Sequence, residues 1–438
     1  MGAMLRCQGL AAWPGFRKPS LSTNLPLVFS GISMPPTPAH RWPANFLMLS
    51  GVIASFHLGK VSPAIPMLQD SLGFTRVQAG FLLSLMQFAG ASVGVLMGMF
   101  SDSFGARRSL ITGHTLLCAS SLLALGASSA GQLLALRAFE SLGFLLIVLS
   151  TPAMLRIVVP QQRLSFRLGL WGCYMAIGTA AAFFMGPYLI EAFGWKGWWL
   201  FPALLSLLAI GLLALAVPSD RVGSAARAGG AAPGLSWRQR LWTVLSCRDP
   251  WLVGLAFATY SGPWMAIIGF LPLIYVEAGM TDATAGLLTA LASLVNIVGN
   301  IAAAVLIHRG VSQRRLLAVG FFFVLTMTIV AFSSATDGLP VLRYIAILLF
   351  SAVGGVVPAT LFILVVRTAP SDQVIAASVG WMQQLSSFGM LLMPPALARL
   401  ADLAGGWHWT WVATSLAAVI GFVLAAIVAK PQLEAPIL

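Results

Sequence analysis

The sequence predicts an all-α integral membrane protein with twelve transmembrane helices arranged as two six-helix bundles. Of its 438 residues, 58% are hydrophobic and only 8% are charged, whereas about 25% of the residues of a soluble domain are charged. The chain also contains many apolar runs of about 20 residues, the length that crosses a bilayer as a helix. Finally, a pattern that recurs at one constant offset indicates two equivalent halves.

The apolar runs are separated by polar residues or by Gly and Pro, which often end a helix or strand. Each run is expected to be helical because lipid offers the backbone no hydrogen-bond partner. The runs lack the alternation of hydrophobicity that is typical of a transmembrane β-strand. The predicted spans are 44–68, 77–99, 108–128, 131–154, 167–190, 197–217, 250–275, 283–307, 315–334, 340–362, 374–397 and 408–429.

The spans divide the chain into five predicted regions. They are a flexible cytoplasmic tail at 1–43, an N-terminal bundle at 44–217, a cytoplasmic linker at 218–249, a C-terminal bundle at 250–430 and a cytoplasmic tail at 431–438. The linker is rich in Gly, Ala and Arg, a composition that favours flexibility. The first tail lacks a small-residue cleavage pattern, so no signal peptide is predicted. Translation could start at Met1 or at Met34, and the sequence does not decide between them.

Membrane topology explains the net charge of +13, so no nucleic-acid partner is expected. Cytoplasmic loops of membrane proteins carry an excess of Lys and Arg. With the N-terminus inside, 19 of the 25 Lys and Arg residues lie on the cytoplasmic side, three lie outside and three lie within spans. We therefore expect a multi-pass protein of a bacterial-type inner membrane, with both termini cytoplasmic. The four Cys lack metal-site spacing, and neither a metal nor a cofactor is expected.

An internal repeat relates the two halves at an offset of 206 residues. One frame holds through four spans of each half, which indicates a duplicated six-helix unit. Duplicated halves around a central site are a transporter architecture. The pairs include Pro66 and Pro272, Gly73 and Gly279, Thr75 and Thr281, Gly80 and Gly286, Arg137 and Arg343, and Pro152 and Pro358.

Small residues recur every four positions at Gly90, Gly94 and Gly98. Such a face allows two membrane helices to approach closely. In the second half the repeat replaces the first two by Asn296 and Asn300. We expect Asn296, near the middle of span 8, to form an interhelical hydrogen bond.

Two short motifs carry a family resemblance. The loop after span 2 reads GMFSDSFGARR at 98–108, and span 4 contains LRAFESLGF at 136–144. The first resembles the signature loop of the major facilitator superfamily, and the second resembles that family's fourth-helix motif. The resemblance implies a two-bundle transporter fold whose helices 1, 4, 7 and 10 line a central cavity. It also implies a conformational latch formed by Gly98, Asp102, Gly105, Arg107 and Arg108. A tight loop with basic anchors at the cytoplasmic face is the alternative.

The stretch FHLGKVSP at 56–63 places His57 and Lys60 inside span 1. A cation near a bilayer centre costs on the order of 3 kcal/mol or more, and is therefore usually buried in protein and functional. At about 1.5 Å per residue, His57 lies near the midplane at the depth of Glu140 in span 4. Lys60 lies farther outward, at the depth of Arg137. These four side chains are expected to meet.

Arg343 in span 10 adds a third cation, so that positive charge exceeds negative charge within the spans. Because buried charge needs a partner, we expect a cavity for an anionic substrate. The predicted substrate-binding residues are Lys60, Arg137, Arg343, Tyr260 and Trp264. His57 and Glu140 are predicted to carry a coupled proton.

Structural roles remain open for the same residues. Lys60 could extend its head to the outer surface, Arg137 could be a structural Arg of span 4, and Arg343 could cap the outer end of span 10. His57 could be a hydrogen-bonded core residue. A set of Trp residues near an outer boundary is predicted to form an aromatic belt: Trp195, Trp198, Trp199, Trp407, Trp409 and Trp411.

These observations predict a secondary active transporter that moves a small organic anion by alternating access. Coupling to protons is expected, and sodium is the alternative coupling ion. We expect a monomer in lipid and no enzyme activity, because no hydrolase, metalloprotease or phosphate-binding motif is present. Proton-driven efflux of drugs, toxic compounds or a siderophore-like metabolite is the alternative. It rests on Gly178 and Gly186-Pro187, which partly match a fifth-helix motif of drug exporters in that superfamily. A sensor with a transporter fold also stays open.

Overall fold

A computed structural model describes residues 41–218, 236–371 and 374–428, without the side chains of residues 41, 98–103, 161, 162, 165, 166 and 169. The helices are α1 Arg41–Gly59, α2 Ile65–Leu72, α3 Arg76–Ser84, α4 Phe88–Phe104, α5 Ala106–Ala124, α6 Ala130–Val158, α7 Gln161–Trp171, α8 Tyr174–Ala216, α9 Trp237–Ser246, α10 Arg248–Glu277, α11 Asp282–Leu294, α12 Asn296–His308, α13 Gln313–Phe332, α14 Pro340–Gly354, α15 Val356–Arg367, α16 Ile375–Ala404 and α17 Thr410–Val428.

Nine segments of the described chain are long and apolar enough to cross a membrane. One of them, α8, has 43 residues and leaves helical geometry at Gly194 (φ 65°, ψ 176°), so it forms two spans joined by a turn. Helices α5 and α16 have spanning length as well. The result is the predicted set of twelve spans. Four spans each consist of two consecutive helices: span 1 is α1–α2, span 2 is α3–α4, span 8 is α11–α12 and span 10 is α14–α15. Helix α8 contains spans 5 and 6. The other spans are single helices: span 3 is α5, span 4 is α6, span 7 is α10, span 9 is α13, span 11 is α16 and span 12 is α17.

One predicted span boundary is wrong, and the predicted linker contains a helix. Span 5 begins at Tyr174 instead of residue 167, because α7 ends at Trp171 and a short turn follows it. The last part of the predicted linker forms α9, whose N-terminus is capped by Ser236 and Gln239 in a reciprocal pair of hydrogen bonds. Residues 1–40 of the first predicted tail, the whole of the second tail and residues 219–235 of the linker lie outside the described residues, and only the backbone is described at Gly98 and Asp102.

The turns of the two halves carry the sequence repeat. Gly73 and Gly279 both adopt positive φ (65° and 88°), a conformation that other residues rarely adopt. Thr75 and Thr281 then cap the helices that follow, each accepting a hydrogen bond from a backbone N–H three residues on. The predicted offset therefore relates equivalent turns.

Small residues bring the two halves into contact at symmetry-related places. Spans 2 and 11 pack together, and so do spans 5 and 8. A Cβ on Gly80 would lie 2.7 Å from the Cα of Pro395, and a Cβ on Gly286 would lie 2.5 Å from the carbonyl oxygen of Phe183. Gly94 faces Gln384 of span 11 in the same way. The predicted small-residue face of span 2 is thus a contact between halves.

An ion-pair network joins the halves at the end of the molecule that carries the 73–75 turn, opposite to residues 41 and 428, the first and last that the structure describes. We call this the distal end. Arg76 Nη2 lies 2.9 Å from Glu277 Oε1, and Arg76 Nη1 lies 3.5 Å from Asp402 Oδ1. Trp407 Nε1 donates to the other oxygen of Glu277 at 2.8 Å. One arginine of the N-terminal half therefore contacts two acids of the C-terminal half.

Charge reversal at Arg76→Glu is expected to loosen the distal end only modestly. The Arg76 and Glu277 side chains are 35% and 33% exposed, and ion pairs at such sites contribute about 0–1 kcal/mol. Hydrogen–deuterium exchange should be faster at 73–76 and 277–281 in the single variant and should recover in Arg76→Glu/Glu277→Arg. Unchanged exchange in Arg76→Glu would contradict a role of this network in holding the distal end together.

Candidate functional site

A break in span 1 creates the candidate site. Helix α1 ends at Gly59 and α2 begins at Ile65. Pro63 lies between them and has no backbone N–H to donate to a preceding carbonyl. Carbonyl groups at a break inside the membrane need other donors. Arg137 supplies two of them, from Nη1 to His57 O at 2.7 Å and from Nη2 to Leu58 O at 3.0 Å.

Glu140 is at the centre of the site and is contacted by three nitrogen groups. Its Oε1 lies 2.5 Å from His57 Nδ1 and 2.7 Å from Lys60 Nζ, and its Oε2 lies 2.8 Å from Arg137 Nη1. Ser121 Oγ donates to Oε1 at 3.2 Å. All five side chains are buried. The predicted meeting of His57, Lys60, Arg137 and Glu140 is therefore observed, and we call these four residues the charge cluster.

The outer contacts of the charge cluster extend to spans 3 and 6. His57 Nε2 lies 2.8 Å from Ser206 Oγ and 3.0 Å from the carbonyl oxygen of Pro202. Lys60 Nζ donates to Ser121 at 2.7 Å and lies 5.2 Å from the centre of the Trp199 ring, a cation–π distance. Helices of spans 1, 3, 4 and 6 thus share one buried polar network.

The charge cluster is internally satisfied in this conformation. Every guanidinium nitrogen of Arg137 donates to a protein oxygen, since Nε contacts Leu82 O at 3.1 Å. Two cations face one carboxylate, and backbone carbonyls complete the coordination of Arg137. The void beside Arg137 and Glu140 measures about 10 Å³, which is the size of a single water. The conformation described here leaves no space for an organic ligand between these side chains.

Other residues that the sequence selected lie elsewhere. Arg343 is not in the charge cluster; it binds Asp337, Thr336 Oγ1 and Ser333 O in the turn before span 10. Tyr260 and Trp264 are buried in the C-terminal half. Asn296 donates to Tyr260 Oη at 2.8 Å and to Ser351 O at 2.9 Å, and Trp264 donates to Ser351 Oγ at 3.2 Å. The predicted interhelical hydrogen bond of Asn296 is confirmed.

The sequence interpretation missed Trp198. We predicted a belt residue, but its side chain is fully buried and donates from Nε1 to Lys60 O at 2.7 Å. Trp195 and Trp199 are buried as well (7% and 3% exposed), so the predicted belt is wrong for these three residues. The segment at 60–63 could have identified Trp198. Pro63 interrupts the helix there, so backbone carbonyl groups before it lose their helical partners and need hydrogen-bond donors from side chains.

The predicted latch is described only in part. Gly105 has positive φ (99°) and starts the turn into α5. Arg107 Nη2 donates to the carbonyl oxygen of Ala214 at 2.5 Å, at the last turn of α8. A cation there also complements the negative end of the helix dipole. The latch itself stays a prediction for Gly98, Asp102, Gly105, Arg107 and Arg108.

Comparison with known proteins identifies the family. The model of the Major Facilitator Superfamily matches residues 47–388, which is most of the chain. This chain belongs to the Major Facilitator Superfamily. Like other members of that superfamily it is a secondary transporter, and the superfamily's twelve-helix fold agrees with the twelve spans described above.

Among curated superfamily members, the chain is 26% identical over 369 residues to a 2-nitroimidazole transporter of Escherichia coli, covering 83% of this chain and 89% of that protein. It is also 26% identical over 232 residues to a chloramphenicol resistance protein of Pseudomonas aeruginosa. That second match spans 52% of this chain and about half (54%) of the relative.

Solved superfamily structures support the fold. A D-xylose-proton symporter has a TM-score of 0.68 at 15% identity, covering 88% of this chain and 96% of that chain. A bacterial homologue of the human lysosomal transporter Spinster, in an inward-facing and unoccupied conformation, has a TM-score of 0.69 at 14% identity, covering 90% of this chain and 97% of that chain. At these identities the likeness concerns the fold.

Proposed function

We propose that this transporter couples solute movement to protons and that the His57–Glu140 pair of the charge cluster carries the proton. The observation that supports the proposal is the 2.5 Å contact between these two titratable groups in the buried interior of the N-terminal half. A carboxylate and an imidazole inside a membrane protein are typical parts of proton relays. Two halves related by a repeat then rock around the central site in alternating access.

Protonation of this pair would change the whole charge cluster. Glu140 offsets both Lys60 and Arg137, so a proton on its carboxylate weakens two buried ion pairs at once. The four residues come from two spans, His57 and Lys60 from span 1 and Arg137 and Glu140 from span 4, and buried polar networks are strongly interdependent. A proton therefore alters the relative stability of helix arrangements in this half, which is what coupling to alternating access requires.

For the substrate we propose a small organic anion. Lys60 and Arg137 together carry one more charge than Glu140 offsets. Arg343 in the C-terminal half adds nothing to this surplus, because it pairs with Asp337. A bound anion would neutralise this surplus, because buried charge is costly without a partner. Occlusion of the loaded transporter is thereby favoured over occlusion of the empty one.

Export of toxic aromatic compounds is the second candidate. It is supported by the names of the two relatives, a 2-nitroimidazole transporter and a chloramphenicol resistance protein. The exporter-like glycines of span 5 pack on span 1 here, with Gly178 against Ser55 and Gly186 against Pro63. These glycines therefore allow spans 1 and 5 to pack closely, and such packing is compatible with import as well as export.

Proton coupling is tested with His57→Gln in proteoliposomes. Gln can retain hydrogen bonds but cannot titrate near neutral pH. Uptake of labelled benzoate, chloramphenicol and 2-nitroimidazole first identifies a transported solute. With that solute, His57→Gln should lose accumulation driven by a pH gradient while solute exchange, which needs no net proton movement, persists.

The matched control is His114→Gln, since His114 is also buried in the N-terminal half and lies outside the charge cluster, 2.7 Å from Ser50 Oγ. It should accumulate solute as the wild-type protein does. Gradient-driven accumulation at the wild-type level in His57→Gln would overturn the assignment of the proton to this pair.

A further inference from the structure

A cavity of about 750 Å³ lies in the C-terminal half near the distal end. Its wall is mainly apolar and aromatic, with contributions from spans 7 to 10 and from the segment before span 12. Representative lining residues are Leu271, Tyr275, Leu288, Phe332, Tyr344 and Trp407. Cavities of about 300–1,000 Å³ with few polar groups are the usual form of small-molecule sites. We call this space the distal cavity.

The repeat relates the distal cavity to the charge cluster. Arg343 and Leu288 line it, and the 206-residue offset maps them onto Arg137 and Leu82. Those two residues line the water-sized void of the N-terminal half. The large cavity and the small void are therefore counterparts in the two copies of the duplicated unit.

Sequence differences between the halves accompany the difference in size. Lys60 and Glu140 fill the N-terminal site and contact each other. At the same offset the C-terminal half has Ala266 and Ala346. Bulk is lost at both positions, and the carboxylate three residues after the arginine is lost with Glu140.

Arg343 keeps free hydrogen-bonding capacity as a result. Its Nε and Nη2 atoms donate to Thr336 Oγ1, Ser333 O and Asp337. Its Nη1 atom has no hydrogen bond to any residue that the structure describes. In the N-terminal half, the Nη1 atom of Arg137 is the one that contacts Glu140, at 2.8 Å. The arginine is kept in the second half, but its carboxylate partner is Asp337 of the preceding turn and not a residue three positions on in the same span.

Two tyrosines give the distal cavity an aromatic wall. The Tyr275 and Tyr344 rings lie 6.4 Å apart, edge to face. The hydroxyl of Tyr275 has no accessible surface, so the ring and not the oxygen of this residue faces the cavity.

The acids at the cavity do not favour a cationic ligand. Glu277 already accepts from Arg76 and Trp407, one bond on each oxygen. Asp337 contacts Arg343 and is otherwise largely exposed. Arg343 Nη1 has an unused donor, and a donor suits an acceptor such as a carboxylate.

We propose that the distal cavity binds a small aromatic carboxylate, whose carboxylate takes on Arg343 the place that Glu140 takes on Arg137. The apolar body of the ligand packs against Tyr275, Tyr344 and Trp407. This binding goes beyond the proposed transport function and does not depend on it, because it needs neither a proton gradient nor movement of the halves. Failure of proton coupling would leave the site intact.

The test is equilibrium dialysis of the purified full chain with two probes of the same shape, 2-naphthoate and the neutral 2-naphthamide. Hydrogen bonds to charged groups are worth enough to change affinity about tenfold or more. We expect 2-naphthoate to bind at least tenfold more tightly than 2-naphthamide. Arg343→Gln should remove this difference, and Leu288→Trp should weaken both probes by filling the cavity.

Asp337→Asn is expected to increase affinity, a result that loss of folding could not produce. It removes the carboxylate that competes for Arg343 and should tighten 2-naphthoate several-fold, with no change for 2-naphthamide. Arg399→Gln is the matched control, because Arg399 is exposed on the last part of span 11 and does not line the cavity. Equal affinity for both probes in the wild-type protein, or retained preference for naphthoate in Arg343→Gln, would overturn the proposal.

Discussion

Glu140→Gln is expected to destabilise the protein by about 3–5 kcal/mol, the usual cost of removing one partner of a buried ion pair. The substitution keeps the shape of the side chain and removes its charge. Lys60 and Arg137, both buried, then lose the carboxylate that lies 2.7 and 2.8 Å from them. The thermal unfolding midpoint of the purified protein, compared with wild type in the same detergent, measures the effect.

The double variant Lys60→Met/Glu140→Gln separates charge from packing. It removes one cation together with the carboxylate and keeps an apolar chain of similar length in place of Lys60. Arg137 retains three backbone carbonyls as acceptors, those of His57, Leu58 and Leu82. We therefore expect the double variant to recover most of the lost stability. A double variant less stable than Glu140→Gln would show that Lys60 is stabilised mainly by Ser121 and Trp199 and not by Glu140.

The fold could be predicted almost completely because each determinant is local or periodic. Span length follows from apolar runs, and the repeat locates equivalent turns at Gly73 and Gly279. The prediction failed at span 5, where an amphipathic helix, α7, joins an apolar one after a short turn. Hydrophobicity alone does not mark that junction, because apolar residues continue through it.

The contacts of the site could be predicted only for residues that meet because they lie at the same depth in the membrane. His57 and Glu140 were placed at one depth from residue counting, and they are in contact. Arg343 lies in the first turn of α14, and its side chain contacts the turn before span 10 instead of the charge cluster. Counting along a helix gives height but not the direction of a side chain. Trp198 was missed because its acceptor, Lys60 O, becomes available only through the break in span 1.

Gly286→Val is expected to open the distal end and to abolish transport. A Cβ at this position would lie 2.5 Å from Phe183 O and 2.7 Å from the Pro187 ring. Neither a helix backbone nor a proline ring can move aside as a flexible side chain does. Spans 5 and 8 must then separate, so the conformation in which the halves touch here is disfavoured relative to the alternative. Gly80→Val should act in the same way through Pro395, its contact in span 11.

Hydrogen–deuterium exchange measures this opening without any label. Backbone amides at 73–76 and 277–281 should exchange faster in Gly286→Val, and more so than in Arg76→Glu, because a steric clash cannot be screened or solvated as an exposed ion pair can. The matched control is Gly211→Val, since a Cβ on Gly211 of span 6 meets no atom of the described chain within 4 Å. Exchange at the wild-type rate in Gly286→Val, with transport lost, would instead indicate that the glycine supports folding within the C-terminal half and not contact between the halves.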